Sequence, residues 1–241
     1  MILASMQNEK IKMLKKLMTD KSLVFFDNPK LVQEAFDAGH NILYVIKKEG
    51  YVGKTDYGGE LFEVTENVFK AFSSTINSQG LIGVVKFKEL PLQKPKTNFL
   101  VLDGLQDPGN VGTLLRSALG ANFLDVYLLD SVKITNDKVV RSSMGALFKL
   151  RIYQTSKSEF LKNYQLWNLP LYVCDMNGQN LYTAKIKGQV GVVVGNEGNG
   201  ISQEMRQIST NAIKIPMCNN LESLNAGVSG SVVMLYISNQ N

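Results

Sequence analysis

Apolar residues at positions 11, 14, 17 and 18 share one face of a helix, and lysines fill the other positions from Lys10 to Lys16. Leu23–Phe26 is a short apolar run of strand type. Pro29–Ala38 has a helical period opened by a proline, and Ile42–Ile46 is again strand-like. Thr65–Phe72 predicts a helix and Gly80–Val85 a strand. This alternation predicts a small α/β domain. The pattern sharpens after residue 98. Phe99–Asp103 is an apolar run ending in an acid, followed by a Gly-rich turn and a helix over Val111–Leu119. Further strands are predicted at Val126–Leu129, Leu171–Cys174, Val190–Val194 and Ala212–Ile215, and a closing helix at Leu224–Ile237. Val190–Val194 holds only Val and Gly, as in a strand covered on both faces. The second half is therefore expected to be a parallel α/β sheet with its ligands at the carboxyl ends of the strands.

Between the halves, residues 86–97 combine Pro91 and Pro95 with Lys86, Lys88, Lys94 and Lys96. Fixed φ and solvated charge read as a linker. The expected division is an N-terminal domain over 1–90, a linker over 91–97 and a C-terminal domain over 98–241. The chain of 241 residues is 44% hydrophobic and 20% charged, which excludes a disordered tail or a disulfide-stapled mini-protein. A net charge of +5 permits a polyanionic partner. Two cysteines, Cys174 and Cys218, and one histidine, His40, leave no expected metal site. His40 reads as a surface residue at a helix end. No apolar run reaches membrane-spanning length and Met1–Ser5 is too short for a signal peptide, so a soluble cytoplasmic protein is expected. From Gln207 to Asn241 the only charged residues are Lys214 and Glu222. The closing helix is thus expected to be covered on most sides, by its own core or by a second subunit.

Val52-Gly53-Lys54-Thr55 looks like the end of a P-loop. Lys48 stands where that loop needs its first glycine, and Tyr57-Gly58-Gly59 follows instead of a helix, so it reads as a turn. No dinucleotide fingerprint opens the helix after Leu102. Three polar, Gly-rich turns at strand ends stand out. In the first, Asp107 to Arg116, Asn110 is expected to cap the helix, Gly112 allows a close approach, and Arg116 suits either a phosphate contact or a surface salt bridge. In the second, Val194 to Ser202, Glu197 suits either a helix cap or a ligand contact. In the third, Ile215 to Ala226, Ser223 suits an N-cap at the start of the last helix.

These blocks, "DPGNVGTLLRSA", "VVVGNEGNGIS" and "IPMCNNLESLNAGVSGS", resemble the three signature motifs of the TrmH/SpoU family of RNA ribose 2′-O-methyltransferases, in the SPOUT superfamily. "NDKVVRSSMGALFKL" between them is also similar. So are "SMQNEKIKMLKKL", "NPKLVQEAFDAG" and "GLIGVV" to that family's N-terminal substrate-binding domain. The likeness covers nearly the whole chain. It departs in "FFDNPK", with Asp27-Asn28 where relatives often carry Glu-Gly, and in a last motif richer in Gly and Ser.

The resemblance implies a C-terminal α/β domain with a deep trefoil knot, beside a small N-terminal α/β domain. It implies a homodimer with the active site at the subunit interface, and S-adenosylmethionine as cofactor. Gly195, Ile215 and Leu224 would hold the adenine, with Leu221 and Ala226 lining the pocket. Catalytic roles fall on Asn110, Arg116, Glu197, Ser223 and Asn225. Arginine is too basic to act as a general base, so Arg116 is expected to grip phosphate and orient the hydroxyl. Lys12, Lys15, Lys16 and Arg141 are expected to hold RNA backbone. The implied substrate is large-subunit rRNA. The alternatives are tRNA, a base or non-RNA target, or an RNA-binding assembly factor that has lost methyl transfer.

Overall fold

The computed structural model describes residues 2–75, 77–219, 221 and 223–240; Glu222 of the third block lies outside them. Two compact units emerge, one of residues 1–88 with 135–141, the other of 89–134 with 142–241. Residues 135–141 thus group with the first unit, although the sequence division assigns them to the C-terminal domain.

In the first unit the elements are α1 (Glu9–Leu17), β1 (Leu23–Asp27), α2 (Pro29–Asp37), β2 (Ile42–Lys48), β3 (Glu60–Val64), α3 (Glu66–Lys70) and β4 (Leu81–Lys86). Among the described residues the sheet order is β1-β4-β2-β3, with β2 and β3 parallel and the other pairs antiparallel. Both longer helices start where side-chain chemistry predicts. Asn8 accepts the Lys10 N–H at 2.9 Å, and Asn28 accepts the Lys30 N–H at 2.8 Å ahead of Pro29. Ile11 and Leu14 of α1 enter a core with Ile46, Phe62, Val64, Val68 and Phe69, whereas Met18, assigned to the same face, is exposed past the helix end. Strand β3 escaped the sequence reading because Glu60 and Leu61 are exposed at the sheet edge, which blurs the apolar pattern. His40 packs half-buried on Phe87, ring centroids 5.5 Å apart.

The second unit comprises β5 (Phe99–Asp103), α4 (Pro108–Gly120), β6 (Asp125–Leu129), α5 (Asp137–Ser143, which straddles the division), β7 (Arg151–Thr155), α6 (Lys157–Tyr164), β8 (Leu171–Asn180), β9 (Gly191–Gly195), α7 (Gln203–Ile208), β10 (Asn211–Lys214) and α8 (Ala226–Ser238). Its strands pair in the order β10-β8-β9-β5-β6-β7, all parallel. The central strands β5 and β9 are buried along nearly their whole length, as their unbroken apolar runs require. One side of the sheet packs on an aromatic cluster of Phe99, Tyr127, Tyr153, Phe160, Tyr164 and Trp167. On α8, Gly230 lets the backbone settle against Leu114 of α4 and Val194 of β9; a Cβ there would lie 2.5 and 2.6 Å from their side chains. On the other face of α8, Val228 and Leu235 are exposed.

Two expectations are corrected. Lys86 ends β4 rather than opening the linker, and the far end of the strip is pinned rather than solvated. Pro95 is buried, and the Lys96 and Thr97 N–H groups donate to Asp125 at 2.8 and 3.0 Å. Asp125 is fully buried and also takes a bidentate pair from Arg151 at 2.7 and 2.8 Å. Strand β8 continues past Cys174, but only after a break. Val173 pairs with Ala212 and the next pair is Gln179 with Ile213, so residues 174–178 leave the ladder.

Candidate functional site

The first block does not start its helix at Asn110. Asp107 is the N-cap, accepting the Asn110 N–H at 2.8 Å, and Pro108 takes the first helical position. Asn110 therefore sits buried in the first turn with its side chain free to work elsewhere. Its Nδ2 donates to Oε1 of Glu197 at 3.0 Å, joining the first block to the second across 87 residues. Gly112, expected to allow a close approach, packs against Ser142.

Glu197 also accepts the Asp107 N–H at 3.3 Å and the Gln106 N–H at 3.5 Å. Partial burial works against its charge. The Asn110 amide and the neighbouring backbone N–H groups outweigh that and hold the carboxyl below the usual glutamate range. The loop that carries Glu197 is tied at both ends to the end of β5. Asn196 Nδ2 donates to the Gly104 carbonyl at 2.7 Å, while its Oδ1 accepts the N–H groups of Gly198 and Asn199 at 2.9 and 3.0 Å. At the far end the Ser202 N–H donates to Asp103 at 2.7 Å, and Asp103 is ion-paired with Lys157 at 2.9 Å. Gly195 has no room for a side chain, because a Cβ would lie 2.4 Å from the Gly200 backbone where the loop folds back on itself.

The third block opens α8 with Asn225, not Ser223. Asn225 Oδ1 accepts the Val228 N–H at 3.3 Å, and Ser223 stands exposed ahead of the cap. Both line a cavity of about 760 Å³ at the carboxyl ends of β9 and β10 and the break in β8. Of the residues singled out from sequence, Gly195, Glu197, Ile215, Ser223, Leu224, Asn225 and Ala226 line it. Asn110 does not, but it holds Glu197, which does. Leu221 is exposed and outside the lining. Arg116 is exposed on α4, outside the lining, and makes no hydrogen bond or ion pair among the described residues. In the first unit Lys12, Lys15 and Lys16 are exposed on α1, with Lys12 paired to Glu9 at 2.9 Å. Arg141 is paired with Asp137 and donates to Ser74 at 2.9 Å.

Sequence reading missed Asp175, Asn177 and Arg206 in the cavity wall, and the loop anchors Asn196 and Asp103. A signal for the first pair existed. Asp175-Met176-Asn177-Gly178 is a fourth polar, Gly-bearing turn after a predicted strand. The cavity suits a nucleoside carrying a charged tail. Val194, Ile201, Ile213, Ile215, Leu224 and Val233 offer apolar contact to a flat ring, and the turns supply polar groups at its rim. Among the described residues no cluster of His, Cys, Asp and Glu suits a metal, and no helix is long and apolar enough to cross a membrane.

Comparison with known proteins gives a family and a shared fold. The sequence profile described as the SpoU rRNA Methylase family matches residues 97–235. The 23S rRNA (guanosine(2553)-2′-O)-methyltransferase of Bacillus subtilis is 25% identical over 242 aligned positions, covering 97% of each chain. A solved RNA 2′-O ribose methyltransferase superimposes with a TM-score of 0.83 at 28% identity, covering 100% of this chain and 99% of the other. The AdoMet-bound rRNA methyltransferase of Sinorhizobium meliloti superimposes with a TM-score of 0.86 at 22% identity, covering 98% and 97%, which establishes a shared fold. On the profile match, spanning more than half of its length, this chain belongs to the SpoU rRNA methylase family.

Proposed function

We propose that this protein transfers a methyl group from S-adenosylmethionine to a ribose 2′-hydroxyl of RNA, with large-subunit rRNA as substrate. The observation that carries the reading is the Asn110–Glu197 hydrogen bond, which ties the first motif to the second beside a cavity that the third motif lines. The family supports the chemistry, and the Bacillus subtilis relative, alike over 97% of both chains, supports rRNA as substrate.

The cavity fits the cofactor in size and in lining. Backbone groups of Gly195, Ile215 and Leu224 would hold the adenine, with Ala226 beside them; exposed Leu221 would join them when substrate or a second subunit covers its turn. When bound, S-adenosylmethionine supplies a methyl group already activated by the sulfonium. The protein's share is to position and activate the hydroxyl. Asn110 and Glu197 fix the loop at the cavity rim, and Ser223 and Asn225 orient the ribose. Arg116 grips the adjoining phosphate and orients the hydroxyl, relaying its proton to that phosphate as the methyl leaves the sulfonium, and its lack of a hydrogen bond or ion pair among the described residues leaves it available for this.

A homodimer supports these roles. The exposed Val228 and Leu235 of α8, with exposed Tyr182, form an apolar face of the kind that a second subunit covers. Chain order supports a trefoil knot, a rare exception to unknotted folds. β9 lies inside β8, β10 lies outside it, and α8 then returns to pack on α4 and β9. In the first unit Lys12, Lys15, Lys16 and Arg141 hold RNA backbone, in a cytoplasmic protein. The test is transfer of labelled methyl from S-adenosylmethionine to unmodified rRNA and tRNA transcripts, followed by alkaline hydrolysis. Label in alkali-resistant dinucleotides from rRNA is expected. Label released as mononucleotides moves the chemistry to a base. No label on either RNA, with cofactor bound, favours the RNA-binding assembly factor that has lost methyl transfer.

A further inference from the structure

Three charged side chains in the cavity wall, Asp175, Arg206 and Lys214, belong to none of the three motifs, and the first two form a pair. Asp175 lies where β8 leaves the ladder, its side chain only 8% exposed, and it pairs with Nη1 of Arg206 on α7. Asp175 also accepts the Asn177 N–H at 2.9 Å, and Arg206 Nε donates to the Ile201 carbonyl at 3.3 Å. Nη2 of Arg206 carries no hydrogen bond among the described residues, and 48% of its side chain is exposed. The pair is thus fixed at its base and open on one side.

Removing an ion pair from water costs hydration on both partners, and well-packed apolar residues often serve a wall as well or better. A carboxylate and a guanidinium side by side in a cavity are, however, the complement of a ligand group that carries both an ammonium and a carboxylate. The α-amino-acid group is such a zwitterion. A planar guanidinium with free N–H groups suits a carboxylate in particular. The other charged lining residues suit the task less. Glu197 is committed to Asn110, and Lys214 is exposed on the edge strand β10 with no hydrogen bond or ion pair among the described residues to orient it.

We infer that Asp175 and Arg206 form the subsite for the amino-acid end of the cofactor, Arg206 taking its α-carboxylate and Asp175 its α-ammonium. This rests on the cofactor reading above. The test uses the full chain and two probes that share the adenosine and the thioether sulfur. S-adenosylhomocysteine carries the amino-acid end and 5′-methylthioadenosine lacks it. Their dissociation constants are measured by calorimetry for the unaltered protein and for Arg206→Gln, Asp175→Asn and Lys214→Ala.

The unaltered protein is expected to prefer S-adenosylhomocysteine. Arg206→Gln and Asp175→Asn should each weaken that ligand by about 10- to 100-fold, the range of a lost charge-assisted hydrogen bond, with methylthioadenosine unchanged. Unchanged methylthioadenosine binding also shows that the wall is still folded. If Arg206→Gln weakens both probes equally, the pair only props the wall and the inference is wrong. It is equally wrong if the selective loss appears at Lys214→Ala. Equal binding of both probes by the unaltered protein removes the subsite while leaving the cofactor reading intact; binding of neither removes both.

Discussion

Two buried aspartates sit on neighbouring strands of the parallel sheet, at opposite edges. Asp125 opens β6 at the amino edge, and Asp103 closes β5 at the carboxyl edge. Asp125 is saturated. It takes two bonds from Arg151, two backbone N–H groups and the Thr97 hydroxyl, and every partner is part of the frame. Asp103 has one backbone N–H, one lysine, and a loop hanging from it that carries Glu197. The same residue type braces the frame at one edge and anchors the cavity's loop at the other. The difference follows from geometry. Parallel strands present their carboxyl ends to the turns that open toward ligand, while their amino ends receive chain arriving from the preceding connection.

This contrast breaks most forcefully at the amino edge. Asp125→Ala should destabilise the fold by about 3–5 kcal/mol, because it strands a partly buried Arg151 and unhooks residues 96–97. Denaturant unfolding measures this, and a loss below about 1 kcal/mol would mean that the network is ornamental. At the carboxyl edge the effect should fall on chemistry. Arg116→Ala is expected to reduce methyl transfer by about 100-fold or more, the range for a group that stabilises charge only in the transition state. Cofactor affinity and melting temperature should hold, since Arg116 is exposed and makes no hydrogen bond or ion pair among the described residues. Unchanged transfer removes Arg116 from the site.

Asp103→Asn sharpens the comparison further. It keeps an acceptor for the Ser202 N–H but loses the charge facing Lys157. A modest loss of stability, about 1 kcal/mol, should accompany a larger fractional loss of turnover than Asp125→Asn gives in the protein that stays folded. Equal ratios of the two effects at both edges would falsify the division of labour.

The smallest effect is in pH. Burial opposes the charge on both carboxylates, but the Arg151 pair and the N–H groups at Asp125, and the Asn110 amide with the loop N–H groups at Glu197, hold both below their ordinary values. A lowered native value means stability that is complete above the unfolded-state value and lost as pH falls through the native one. Both edges should therefore stay intact through weakly acidic pH. Carbon-detected NMR titration should find the Glu197 midpoint below that of glutamate in an unfolded peptide. A midpoint above it would show the Asn110 contact to be absent in solution.

Sequence carried the interior well and the margins poorly. Strands β5 and β9 were legible because both faces are buried and apolar residues run unbroken. Strand β7, Arg-Ile-Tyr-Gln-Thr, lies at the sheet edge with a half-wet pattern, and it passed unnoticed along with the short α6 behind it. The three turns were legible because glycine and polar residues interrupt an apolar strand abruptly. Their inner wiring was not. Asp107 and Asn110 are both good caps, and nothing local says which one yields; the competition is decided by Glu197, 87 residues away. Likewise Asp175 meets Arg206 where β8 drops out of register against β10 between Val173 and Gln179, a fact about pairing rather than about either segment.

The anchoring of the strip before β5 determines where the catalytic half can be severed. Tyr127 donates its hydroxyl to the Gln93 carbonyl at 2.7 Å, and Gln189 holds the carbonyls of Pro95 and Thr97 at 2.9 and 2.7 Å. A scissor placed at residue 98, where the apolar pattern begins, would cut through these fastenings and leave Asp125 facing Arg151 with its backbone donors gone. A cut ahead of Gln93 spares them all, so the portable unit carries its own short leash.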